Sequence, residues 1–300
     1  MIEQTSIFKT PDGEAKSMAA YDRVLAHWPV PYEERDLPTR FGNTHLIVSG
    51  PVEHKPLILL HGQDSSATSW IYNIVELSQA FRTYAVDTLG DMGKSKPTCL
   101  PESRDDYAEW LLEVFDQLKI EKADLVGLSY GGFLAVNFAL AHSERVDRIA
   151  LLAPGIPNFG SPTIQWANYG MPMMLLPSRF TVKRFINGIS TKGYSKDDPV
   201  HEQMIIGMMN MRHVSFMRPV FADDEFKKTA FPILLLIGDR EIMYEPHKAL
   251  DCAIRLIPDL HAELIPNANH MLNSDQPKIV NACILKFLMP NPQLVKEPHD

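Results

Sequence analysis

The pentapeptide Gly127-Leu128-Ser129-Tyr130-Gly131 constrains this chain more than any other feature. Before it lies the short apolar run Ala123-Asp124-Leu125-Val126, and after it Gly132 to Leu140 is long and apolar enough for a helix. Glycines two residues to either side of a serine mark a strand-to-helix bend with no room for Cβ atoms. Such a bend holds the hydroxyl out at the carboxyl edge of a sheet, with the next amide free to donate. The bare pattern arises by chance about once in twenty chains of this composition. Its strand and helix flanks supply the specificity.

The rest of the sequence supplies a sheet for that bend. Strand candidates at 32–37 and 44–49 and mostly apolar runs at 56–60, 83–86, 123–126, 148–152, 232–237 and 262–265 read as eight strands. Pro56-Leu57-Ile58-Leu59-Leu60 has no polar alternation, as expected of a strand buried on both faces. Trp110, Leu111, Val114, Phe115 and Leu118 form a helical stripe before the serine strand. Strands alternating with helices predict a mostly parallel eight-stranded sheet flanked by helices. Residues 1–16 read as polar and loosely held. An amphipathic helix follows on Met18, Tyr21, Val24, Leu25 and Trp28.

The alternation pauses between Gly155 and Asp224, where eight of the fourteen methionines gather with prolines and aromatics. We read residues 155–224 as a helical cap inserted into a core of residues 1–154 and 225–300. Methionine suits irregular apolar surfaces, so part of this set fills the cap and part lines a pocket for a hydrophobic ligand.

Composition excludes several function classes. A net charge of −8 without clustered Lys and Arg argues against nucleic-acid binding. Cys99, Cys252 and Cys283 are too few and scattered for a disulfide framework, and no Cys or His spacing suggests a metal site. Cys252 and Cys283 read as small core residues. The first residues, Met1 to Ser6, lack a basic and an apolar leader region, and no stretch reaches membrane-spanning length. The expectation is a soluble cytoplasmic protein with no cofactor and no membrane span. Nothing in the pattern specifies an oligomeric state.

A serine hydroxyl needs a general base, itself oriented by an acid, and on such a sheet the chain order is serine, acid, histidine. His270 follows the final strand run and so falls at the edge where Ser129 emerges. His261 precedes that run, His247 begins a helical segment, and His201 and His213 belong to the cap. The acid is Asp239 or Glu241, both in the loop after Ile237, and position does not choose between them. The Tyr130 amide supplies one oxyanion donor. The Gln63 amide, in the loop after Leu60, supplies the other, with Gly62 allowing close approach and His61 holding the loop. Gly93-Lys94-Ser95 resembles the end of a phosphate-binding loop, but Thr88 stands where that motif needs glycine.

With His61-Gly62, Asp87-Thr88-Leu89-Gly90, the Ser129 pentapeptide, Gly238-x-x-Glu241 and Asn269-His270 in this order, the chain resembles the α/β-hydrolase superfamily from about residue 40 to 288. That resemblance implies the acid at the fourth position of the Gly238 loop, Glu241, where most members carry aspartate. Trp28-Pro29-Val30, Thr39-Arg40-Phe41-Gly42 and Tyr84-Ala85-Val86-Asp87 further resemble bacterial carboxylesterases of the naproxen-esterase type. The resemblance implies hydrolysis of small hydrophobic carboxylic esters, with bulky arylpropionate esters in range. A His-Gly loop without a Gly-Gly-Gly run resembles the branch that handles tertiary-alcohol esters poorly. The alternatives on the same fold are an aminopeptidase, a carbon–carbon bond hydrolase and a perhydrolase. An aminopeptidase would need cap carboxylates, and Asp197, Asp198 and Glu202 read as solvated. From another class comes a small-molecule receptor with a vestigial triad, which would release one equivalent of product and then stall.

Overall fold

A computed structural model describes residues 6–212 and 219–289. His213 therefore lies outside the described residues, as do Met1 to Thr5 of the amino-terminal segment. The sheet strands are β1 (Tyr32–Thr39), β2 (Gly42–Ser49), β3 (Pro56–Leu60), β4 (Arg82–Val86), β5 (Lys96–Pro97), β6 (Ala123–Leu128), β7 (Val146–Leu152), β8 (Ile233–Gly238) and β9 (Leu260–Ile265). Their order is β1-β2-β4-β3-β6-β7-β8-β9, with β5 beside β2. Pairing is antiparallel from β1 to β4 and parallel from β4 to β9. The eight expected strands are present. The ninth, β5, is two residues long and ends in proline, too short to leave a periodic signal.

The helices are α1 (Pro11–Leu25), α2 (Ile74–Ala80), α3 (Arg104–Leu118), α4 (Tyr130–Ala141), α5 (Ile164–Leu175), α6 (Arg179–Ile189), α7 (Pro199–Asn210), α8 (Asp223–Lys227), α9 (Pro246–Leu256), α10 (Leu272–Asp275) and α11 (Pro277–Leu288). Central strands alternate their side chains between two cores, which explains their unbroken apolar sequences. Ile58, Leu60, Leu125, Ile233 and Leu235 enter the core shared with α3 and α4. Leu57, Leu59, Val126, Leu234 and Leu236 enter the opposite one, shared with α2 and α11.

A third apolar cluster joins α1 to α6 and α7 through Val24, Val182, Ile186, Met204, Ile205 and Met208. Ile7 and Phe8 belong to it, which corrects the reading of a loose segment before residue 17. The Thr10 side chain accepts from the Gly13 amide and Pro11 takes the first helical position, so α1 starts well before its hydrophobic stripe. Phe8 bridges Met211, the Lys9 amide donates to the Asn210 carbonyl at 2.8 Å, and the Arg212 amide donates to the Ile7 carbonyl at 2.7 Å. Cys252 and Cys283 are half-buried rather than core residues, because each lies at the margin of its helix's buried stripe. Among the described residues, no helix is long and apolar enough to cross a membrane.

Candidate active site

Four loops leave the same carboxyl edge of the parallel sheet, after β3, β6, β8 and β9. The register fixes this, since Leu60 pairs with Gly127 and Gly238 with Ile265. Ser129 sits between β6 and α4 with φ 51° and ψ −112°. A non-glycine residue held there costs about 1–3 kcal/mol of backbone strain, so the surroundings must enforce it. They do: the Ser129 amide donates to the Leu152 carbonyl at 2.9 Å, and the Ser129 carbonyl accepts from the Gly155 amide at 2.8 Å. A Cβ on Gly131 would be driven into the Leu60 carbonyl, and one on Gly127 into the Gly131 carbonyl. Both flanking glycines are thus needed for the bend to lie against β3.

The structure brings Ser129, His270 and Glu241 into one chain of hydrogen bonds. Glu241 Oε2 accepts from His270 Nδ1 at 2.8 Å, which leaves Nε2 to accept the Ser129 hydroxyl at 2.9 Å. The other Glu241 oxygen accepts from the Met243 amide at 2.7 Å, fixing the carboxylate's orientation. All three residues are buried. Asp239 is exposed instead and its Oδ1 accepts from the Ala268 amide at 3.3 Å, a turn-residue role.

Asn269, part of the Asn269-His270 motif, holds His270 in place with residues that pattern reading did not single out, Asp275, Gly188 and Ser190. The His270 amide donates to Asn269 Oδ1 at 2.8 Å, and Asn269 Nδ2 donates to the Gly188 carbonyl on α6 at 2.7 Å. Buried Asp275 accepts from the Asn269 amide at 2.9 Å and from the Ser190 hydroxyl at 2.6 Å. Gly188 and Ser190 are more than eighty residues from their partners, so no local signal marks these contacts.

The loop after β3 is equally constrained. His61 Nδ1 donates to the Gly62 carbonyl at 2.7 Å, and Nε2 accepts from the Thr88 amide at 3.0 Å. That pattern requires the neutral ring, and burial correspondingly lowers its pKa. His61 therefore holds the loop, and Gly62 lies against Ser129. Gly93-Lys94-Ser95 likewise serves structure: the Lys94 amide donates to Asp87 and the Ser95 hydroxyl to the Asp87 carbonyl.

Asp91 braces the same loop by accepting from the Asp64 amide at 3.1 Å. Burial, and then the nearby Asp64 charge, push the Asp91 carboxyl well above the usual carboxylate range. A raised folded pKa gives stability that is complete below the unfolded value, about 3.9, and is lost as pH rises through the folded one. Asp64→Asn removes one cause, and Asn tolerates the left-handed φ of 57° at that position. The variant should melt about 2 °C higher at alkaline pH, with the gain lost as pH falls through the raised folded range of Asp91 and absent where that carboxyl is protonated. Melting curves across that range check it.

Two cavities meet at Ser129 and His270. The larger, about 220 Å³, runs beneath α5 to α7 and is lined by Gln63, Tyr72, Trp166 and six methionines, Met173, Met174, Met204, Met208, Met243 and Met271. The smaller, about 150 Å³, is lined by Ile156, Pro157, Pro162 and Tyr244. The six-methionine wall contains four of the methionines from the segment between β7 and β8. In the same segment two of the three carboxylates taken as solvated are engaged, while Asp197 is exposed as expected: Asp198 accepts from the Tyr72 hydroxyl at 2.7 Å, and Glu202 binds Arg179 and the Tyr194 hydroxyl. Their partners come from other elements, so the sequence reading missed them.

Sheet order, bend and loop chemistry together define a class, and a family profile described as the alpha/beta hydrolase fold matches residues 55–175. The chain belongs to the α/β-hydrolase family. Within it, the chain is 38% identical over 290 residues to the Bacillus subtilis (strain 168) protein called uncharacterized carboxylesterase nap, covering 94% of this chain and 95% of that one. The crystal structure of Bacillus subtilis naproxen esterase superposes with a TM-score of 0.86 at 37% identity, covering 93% of this chain and 99% of that one. That of Bacillus subtilis carboxylesterase CesB (YbfK) gives 0.85 at 36% identity, with the same two coverages.

Proposed function

We propose that this protein is a serine carboxylesterase acting through Ser129, His270 and Glu241. The observation that carries the reading is the continuous hydrogen-bond chain from the Ser129 hydroxyl through the imidazole to a buried carboxylate. His270 Nε2 takes the serine proton as the hydroxyl attacks the ester carbonyl. Amides of Gln63 and Tyr130 receive the oxyanion, each such donor contributing about 3 kcal/mol to the transition state. The imidazolium, steadied by Glu241, then protonates the departing alcohol, and water repeats the cycle on the acyl-enzyme.

An ester has two arms, and the cavities on either side of Ser129 offer room for both. The methionine wall is adaptable and apolar, which supports a bulky hydrophobic arm, arylpropionates included. Residues 155–224 act as the cap in this reading, since α5 to α7 roof the larger cavity over a core of residues 1–154 and 225–300. A reducing cytoplasm is the proposed compartment, supported by three free cysteines. An aminopeptidase is disfavoured because Asp198 and Glu202 already have partners. The test is an organophosphonate probe with peptide mapping, paired with p-nitrophenyl esters against proline anilide. Adduct on Ser129 and ester turnover are expected. Label elsewhere, or faster turnover of the anilide, would overturn the assignment.

A further inference from the structure

The outer face of a helix at a protein surface normally carries charged groups; α5 has none, and its exposed residues are apolar apart from Gln165 and Asn168. Ile164, Met171 and Leu175 fall at i, i+7 and i+11, on one stripe, and are 84%, 45% and 69% exposed. Leu176, just past the helix, is 75% exposed, and Phe180 in the first turn of α6 is 74% exposed. Single exposed apolar residues need no explanation, but a contiguous set on two packed helices does.

Charge distribution narrows what such a face fits. From Arg148 to Lys196 the chain has no Asp or Glu, although its net charge is −8. The same stretch carries Arg179, Lys183, Arg184, Lys192 and Lys196. Arg179 is bound by Glu202 from α7, and Lys192 donates to the Ser274 carbonyl. Lys183 and Arg184 follow Phe180 by three and four residues and lie beside it on α6, Arg184 exposed and Lys183 half-buried with its Nζ 4.3 Å from the centre of the Tyr194 ring. Arg184 also lies 5.5 Å from the centre of the Tyr169 ring on α5, so the two helices present one joint surface.

That surface is continuous with the substrate cavity. Met174 is 49% exposed on α5 and also lines the cavity that reaches Ser129.

We propose that the outer face of α5 and α6 docks on an anionic lipid surface, with Leu175, Leu176 and Phe180 entering the apolar layer while Lys183 and Arg184 meet acidic headgroups. Docking is peripheral, and it sets the cavity mouth against the phase in which an apolar ester concentrates. A second copy of the chain fits less well. A two-fold contact through this patch would bring basic groups against basic groups.

The test uses the full chain carrying Ser129→Ala, so its outcome does not depend on the proposed ester chemistry. Co-sedimentation with phosphatidylglycerol vesicles should exceed that with phosphatidylcholine vesicles by about tenfold or more at low salt. Most of the excess should vanish at about 0.5 M salt. Lys183→Glu with Arg184→Glu, and separately Leu175→Ser with Phe180→Ser, should each lower binding about tenfold without moving the melting temperature. Equal binding to both vesicle types, no binding, or variants that bind as well as the parent would overturn the proposal. So would a concentration-dependent dimer abolished by the Leu175 and Phe180 pair in a protein that ignores vesicles, which would assign the face to self-association.

Discussion

Ser129→Ala should lower ester turnover by about a millionfold while leaving the melting temperature near that of the parent. The magnitude follows from the role proposed for the hydroxyl: in that mechanism no acyl-enzyme forms without it, and His270 has only water to activate. Residual rate would come from the oxyanion donors and from binding, which survive the substitution. Stability should hold because alanine inherits the same backbone position, φ 51°, and the amide and carbonyl contacts to Leu152 and Gly155. Steady-state kinetics on a p-nitrophenyl ester, with a melting curve on the same sample, measure both. More than about 1% residual activity at unchanged stability would remove Ser129 from the mechanism.

Glu241→Gln should cost about ten-thousandfold in kcat, and Asp239→Asn less than about threefold. Glutamine keeps the shape of Glu241 but cannot hold the imidazole as a donor at Nδ1 and stabilise its charge. The amide nitrogen would favour the tautomer whose Nε2 carries hydrogen, and that nitrogen could no longer accept from Ser129. Asp239 has no such role, since it is exposed and its carboxylate faces the Ala268 amide. Comparing the two variants on one ester, with kcat and KM separated, decides between the carboxylates. The reverse order of effects would transfer the orienting role to Asp239.

Sequence reading and structure agree where chemistry is local to a strand end. Ser129 is marked by its glycines, and His270 by its place after the last apolar run. The choice between Asp239 and Glu241 was invisible to position, because both occupy one loop. A turn at Gly238-Asp239 sends one carboxylate to the Ala268 amide and the other under the imidazole. Contacts between distant segments were illegible altogether. Asp198 and Glu202 looked solvated because Tyr72 lies far along the chain, Arg179 on a neighbouring helix and Tyr194 in the connection before α7. The amino-terminal correction has a different origin: the Thr10-Pro11 helix start was present in the sequence, but the hydrophobic stripe that drew notice begins later.

The short bridge between Phe8 and Met211 gives the amino terminus a mechanical role. Together with the bonds from Lys9 and Arg212, it lashes residues 7–9 to the end of α7, the helix that contributes Met204 and Met208 to the cavity ceiling. The end of α7 is therefore held by a strap from residues about two hundred positions earlier in the chain. Removing residues 7–9 would therefore loosen the chamber's ceiling, even though they lie far from Ser129 in sequence.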